Sequence, residues 1–90
     1  MVSSPYELEF RPEAVSDLDR LAPDVRERIL DRVRWLAAHF DEIAPERLRG
    51  TQWRGVLKLR LGDYRILYAA DRRQRLLTIH LIGHRREIYR

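Results

Sequence analysis

The spacing of apolar residues changes period along this chain, and that change limits the folds open to it. Ala14, Leu18 and Leu21, then Val25, Ile29, Val33, Leu36 and Phe40, recur at intervals of three and four, as on one face of a helix. Later the interval becomes two. Leu57, Leu59 and Leu61 alternate with Val56, Lys58 and Arg60, and Leu77, Ile79 and Leu81 repeat the pattern. Helices therefore come first and strands last, preceded by Tyr6-Glu7-Leu8-Glu9-Phe10, whose alternation of apolar and acidic residues reads as an opening strand.

Punctuation in the sequence sets the boundaries. Pro12 fits the first turn of a helix of about two to three turns, with Glu13 and Asp17 near its positive end. Ala22-Pro23-Asp24 breaks that helix and starts a second, over about residues 23 to 39. Asp41 to Gln52 contains Pro45 and Gly50 without a sustained period and reads as a loop. Strands are expected at Trp53–Leu61, Tyr64–Ala70 and Arg75–Ile82, with Gly62-Asp63 and Asp71–Gln74 as the turns between them. Gly83 ends the last strand, and His84–Arg90 is a tail returning over the open face. The expected architecture is α+β: an N-terminal strand, a helical hairpin and a three-stranded antiparallel meander, with the helices on one face of a largely antiparallel sheet. All 90 residues fit one small domain.

The meander carries an unusual charge. Residues 1 to 46 hold six arginines against eleven acids, a charge of −5, whereas residues 47 to 90 hold twelve basic residues against three acids, a charge of +9. Lys58 is the only lysine. A sheet covered by helices on one side presents Lys58 and Arg60 on the other, where a polyanion can bind. With no cysteine, thiolate metal sites and disulfides are excluded. No apolar run approaches the roughly 20 residues that span a bilayer, and the expectation is a soluble cytoplasmic protein.

Chemistry on such a surface needs no metal or other cofactor if the substrate is RNA. Only His39, His80 and His84 offer nitrogen ligands, and their placement does not make a metal site. RNA instead carries its own nucleophile, the 2′-hydroxyl, tethered beside the phosphate. The protein must then supply a proton acceptor, cations for the charge that develops on phosphorus, and an acid for the leaving 5′-oxygen. Lys58 is a candidate base if Arg60 and Arg65 crowd it. Arg65 and Arg85 suit phosphate clamping, His84 suits the acid, and Tyr89 can stack on a splayed base. Tyr64 and Tyr68 fall on core-facing positions, and Trp53 reads as an edge anchor.

The segments Leu59-Arg60-Leu61-Gly62-Asp63-Tyr64-Arg65-Ile66-Leu67-Tyr68 and Ile82-Gly83-His84-Arg85-Arg86-Glu87-Ile88-Tyr89 resemble the RelE-type toxins of toxin–antitoxin pairs. Phe10-Arg11-Pro12-Glu13-Ala14 and Leu48-Arg49-Gly50 are similar to the scaffold of the same family. The resemblance implies a RelE-like fold and a metal-independent endoribonuclease that cleaves mRNA in the ribosomal A site. It implies catalytic roles for Lys58, Arg65, Arg85 and Tyr89, with His84 beside them, and a phosphate contact at Arg60; Arg54 and Arg86 are further expected RNA contacts. The partners implied are an antitoxin that covers the basic face, the ribosome and mRNA. Some relatives carry a second basic residue where this chain has Val56, which shifts the weight of proton acceptance to Lys58, with His84 as the lesser alternative. ParE-type toxins share the fold and inhibit DNA gyrase, so the alternative implied by the same resemblance is a gyrase binder without enzymatic activity.

Overall fold

The computed structural model describes residues 4–88. Its elements run β1 (Glu7–Phe10), α1 (Pro12–Asp19), α2 (Pro23–His39), β2 (Glu46–Arg47), β3 (Leu57–Leu61), β4 (Tyr64–Asp71) and β5 (Leu76–His84). Short 3-10 turns at Phe40–Glu42 and Thr51–Trp53 interrupt the connection between α2 and β3. Both helices begin with proline, where the missing N–H has no intrahelical partner to lose, and each has an acid in its first turn, Glu13 and Asp24. The end of α1 is closed from outside: Arg26 Nε and Nη2 donate to the carbonyls of Leu18 and Leu21 at 3.0 and 3.1 Å.

The sheet has five strands in the order β1-β5-β4-β3-β2. β1 runs parallel to β5 and the other pairings are antiparallel. The expected meander is there, with Gly62 at φ +57° opening the β3–β4 turn. The strand count differs by one, because β2 lies inside the segment read as loop. It is only two residues long and is held by β3, so no local period announces it. Trp53 is not in a strand. Gly50 and Gly55 at φ +106° and +79° and the bond from Val56 N–H to the Trp53 carbonyl bend the chain there, and β3 starts only at Leu57.

The helices lie on one face of the sheet. Ile29, Val33 and Leu36 of α2 are fully buried against Ile66, Tyr68, Leu77 and Ile79, and each such side chain contributes roughly 1.5–3 kcal/mol by leaving water. Burial pushes the Tyr68 phenol up to about 12, so it stays neutral and packs, as its position in the alternation implies. One register differs from expectation: Ile82, not Leu81, joins Leu77 and Ile79 in this core. Leu67 pairs with Leu81 while Tyr68 pairs with Ile79, so His80 is an extra residue in β5, and this bulge turns the alternation over.

Asp17 is the buried acid of the core, 6% exposed, and accepts the Ile82 N–H at 2.9 Å. β1 stops opposite Ile79, so beyond that point the edge of β5 has no strand to receive its N–H groups. Asp17→Ala strands that donor in the core and is expected to cost about 1–3 kcal/mol, read as a lower urea midpoint. An unchanged midpoint would mean that water replaces the carboxylate.

A second tie joins three parts of the chain distant in sequence. Tyr6 packs edge-on against Phe40 at 5.1 Å and donates its hydroxyl to Asp41 Oδ1 at 2.7 Å. Arg75 Nη1 donates to Asp41 Oδ2 at 2.8 Å, and its guanidinium lies 4.4 Å from the Tyr6 ring centre. The Tyr6 bond, then the Arg75 bond, hold the Asp41 carboxyl below its ordinary value of 3.8. Its contribution to stability is therefore complete above about pH 3.8 and is lost as pH falls through the depressed value. Urea midpoints measured at pH 5 and pH 3 are expected to differ less in Asp41→Asn than in the parent protein; equal differences would remove Asp41 as a source of acid sensitivity.

Candidate nucleic-acid interface

The face away from the helices is set by the pairing of β3 with β4. Lys58 stands opposite Leu67 and Arg60 opposite Arg65, while Leu57, Leu59 and Leu61 point to the core side with Tyr68, Ile66 and Tyr64. Two cations directly across a ladder repel unless each has another partner. Arg60 Nη2 lies 2.9 Å from Glu46 Oε2, and the same oxygen lies 2.8 Å from Lys58 Nζ. Arg65 turns toward the hairpin and donates to the carbonyls of Gly62 and Tyr64 at 2.7 and 2.9 Å.

Glu46 was not singled out in the sequence, although it is the only acid between Glu42 and Asp63. Its place opposite Lys58 depends on β2, which pairs with a strand beyond an intervening loop. The bonds from Lys58 and then Arg60 hold its carboxyl below the ordinary value, so it is ionised at neutral pH. Lys58 thus meets a carboxylate rather than the bare arginine cluster expected of it. Its side chain is only 16% exposed, and this confinement fixes the direction of the ammonium.

Arg85 joins the same end of the sheet through the β3–β4 turn. Its N–H donates to the Asp63 carbonyl at 2.7 Å, and its Nε lies 3.7 Å from Asp63 Oδ1. Lys58, Arg60, Arg65 and Arg85 therefore form a line from β2 to the hairpin turn, with Glu46 and Asp63 as the acids along it. Opposing guanidiniums held by exposed carbonyls and carboxylates can exchange those partners for phosphate oxygens, which Arg binds in bidentate fashion.

The other expected residues are placed differently. His84 pairs with Tyr64, and their rings meet edge-on at 5.9 Å, so His84 is turned to the helix side of the sheet. Its Nδ1 lies 3.2 Å from the Arg86 backbone nitrogen; accepting that N–H leaves the ring proton on Nε2. Arg86 is exposed in the turn after β5. Arg54 lines an adjoining groove with Phe40, Arg47 and Arg72 and does not line the pocket that holds Lys58 and Arg60. Tyr89 lies outside the described residues. The open face is also less bare than expected: Ile88, fully buried, comes over Gly83, which shares the Arg65 side of the ladder, and Leu67 on that side is fully buried as well. Ile88 thus covers part of that face.

A helical hairpin on one face of a mixed five-stranded sheet is the architecture shared with solved RelE structures. The RelBE2 toxin–antitoxin complex of Mycobacterium tuberculosis contains a chain with a TM-score of 0.79 and 26% identity, the match covering 89% of this chain and 91% of that one. The isolated RelE toxin of E. coli matches with a TM-score of 0.70 and 22% identity over 88% of this chain and 83% of its own. For the archaeal RelE–RelB complex of Pyrococcus horikoshii the values are 0.72 and 22%, covering 93% and 99%. No curated protein matches the sequence. Residues 8–89 match the family described as the ParE toxin of the type II toxin–antitoxin system parDE, and the chain belongs to that family of toxins. The resemblance read from residues 59–68 and 82–89 is thereby borne out at the level of the RelE/ParE superfamily.

Proposed function

We propose that this toxin is a ribosome-dependent endoribonuclease that cleaves mRNA in the A site without a metal ion. The observation that carries the reading is the contact of one ionised carboxylate, Glu46, with both Lys58 and Arg60 beside the Arg60–Arg65 cross-strand pair. This set supplies a proton acceptor and a row of phosphate-binding cations on one surface. In the proposed reaction the 2′-oxygen bonds to phosphorus as Glu46 takes its proton, and the bond from phosphorus to the 5′-oxygen breaks. Lys58, Arg60, Arg65 and Arg85 offset the negative charge that develops on the phosphate oxygens. Because His84 faces the helix side of the sheet, the proton returned to the departing oxygen comes from solvent water. Tyr89 is proposed to orient a base or phosphate next to it, and Arg54 and Arg86 to extend the RNA contact.

Substrate positioning falls to the ribosome, since so few groups line the face. The partner in the resting state is an antitoxin, as in the RelBE and RelE–RelB complexes that share this fold. An acidic antitoxin segment that orders on binding matches a half-chain of charge +9. The match of residues 8–89 to the ParE family favours a second reading, in which the same surface binds DNA gyrase. Pulse labelling after induction of the toxin separates the two. Cleavage of mRNA stops incorporation of amino acids first, with DNA synthesis continuing; the reverse order would replace the nuclease with the gyrase inhibitor.

A further inference from the structure

We propose that Trp53, with Arg47 and Arg49, forms a nucleobase-binding subsite of the interface, taking an unpaired base next to the nucleotide held by Lys58 and Arg60. This rests on the reading of the face as an RNA site. A single concave pocket is lined by Glu46, Arg47, Leu48, Arg49, Trp53, Lys58 and Arg60, so the indole and two unassigned arginines share one depression with the Glu46–Lys58–Arg60 cluster. Its volume is about 760 Å³, ample for a nucleotide.

The loop that carries Trp53 is built rather than slack. Gly50 at φ +106° turns the chain so that Trp53 N–H returns to the Gly50 carbonyl at 3.1 Å, and Trp53 Cδ1 lies 3.5 Å from where a Gly50 Cβ would stand. Val56 N–H then bonds the Trp53 carbonyl at 2.9 Å, and Leu48 N–H bonds the Val56 carbonyl at 3.0 Å. The turn thereby brings the half-buried indole beside β2 and β3, although Trp53 belongs to neither strand.

The chemistry of the lining selects the ligand. Four cations around an indole and one carboxylate suit a phosphodiester chain with an unstacked base: guanidinium and ammonium meet the phosphates, and the indole meets the flat face of the base. A duplex cannot present that face, so the ligand is single-stranded. Stacking on an aromatic ring tolerates any base, and Arg47 and Arg49 at the rim supply donors to base edges.

The test is tryptophan fluorescence during titration with a short 2′-O-methyl RNA, which cannot be cleaved, compared with an abasic strand of equal length and charge. In Trp35→Phe protein, where Trp53 is the remaining tryptophan, the base-bearing strand is expected to quench emission and the abasic strand to leave it nearly unchanged. Affinity of the unaltered protein for the base-bearing strand is expected to exceed that for the abasic strand by about tenfold, and Trp53→Ala to erase this difference. The comparison of strands needs no variant, so misfolding of Trp53→Ala would not obscure it. Equal affinity for the two strands, or quenching by both alike, would overturn the subsite and leave a surface that recognises phosphate only. Ribosome-dependent cleavage without base-dependent quenching would remove the subsite and keep the nuclease. Base-dependent quenching by a protein that cuts no mRNA would keep the subsite and remove the nuclease.

Discussion

Replacing Arg65 and Arg85 together by alanine is expected to lower single-turnover mRNA cleavage on programmed ribosomes by at least about 10³-fold, with the protein still folded. Both side chains stand at the β3–β4 turn, and neither contributes to the core. Arg65 donates to the carbonyls of Gly62 and Tyr64, and Arg85 is paired with Asp63 at 3.7 Å. Loss of such partners at the rim costs on the order of 1 kcal/mol or less, so circular dichroism and the urea midpoint should remain close to those of the parent. Loss of two guanidiniums from a pentacoordinate phosphate is far more costly, because each is worth more where charge develops than where it is already solvated. Full growth arrest by a folded double variant would rule out these arginines as phosphate clamps.

The second large effect is expected at Glu46. Glu46→Gln keeps the shape of the side chain and an oxygen for Lys58 and Arg60, but an amide does not take up a proton. Cleavage should fall by about 10²-fold or more, in line with loss of one general base. Lys58→Ala should fall by a comparable factor, since it removes the cation that orients the carboxylate at 2.8 Å and faces the phosphate. The two variants combined should be little worse than either alone if the residues act as one unit. A Glu46→Gln protein that cleaves at the parent rate would return proton acceptance to Lys58, the residue that the sequence had suggested.

That difference over Glu46 illustrates what could be read before the structure was known. The stripe Ile29, Val33, Leu36 and the alternation of Lys58 and Arg60 with leucines are local patterns, and each put its residues on the face where they are found. Period alone is sufficient there because one turn of helix or two residues of strand decide the outcome. Glu46 depends on a pairing made across a loop, and a strand of two residues leaves no period to detect. The exchange of Leu81 for Ile82 in the core has a different origin. The extra residue at His80 shifts everything after it by one, and so His84 faces Tyr64 while Gly83 faces the cationic side. Nothing in the composition of Arg75–Ile82 marks where a ladder will slip. Trp53 illustrates the converse, since an aromatic residue before a run of alternating leucines reads as strand until Gly50 and Gly55 are seen to bend the backbone.

The most direct measurement is primer extension on a defined mRNA incubated with the purified toxin, with and without ribosomes programmed to hold a chosen codon in the A site. The expected result is cutting within that codon only when ribosomes are present, unaffected by chelation of divalent metal added after the ribosomes are stalled and abolished by the Arg65 and Arg85 replacements. Intact mRNA in both conditions, from toxin that still arrests growth and blocks gyrase supercoiling, would contradict the nuclease and make the cationic face of β3 and β4 a protein-binding surface.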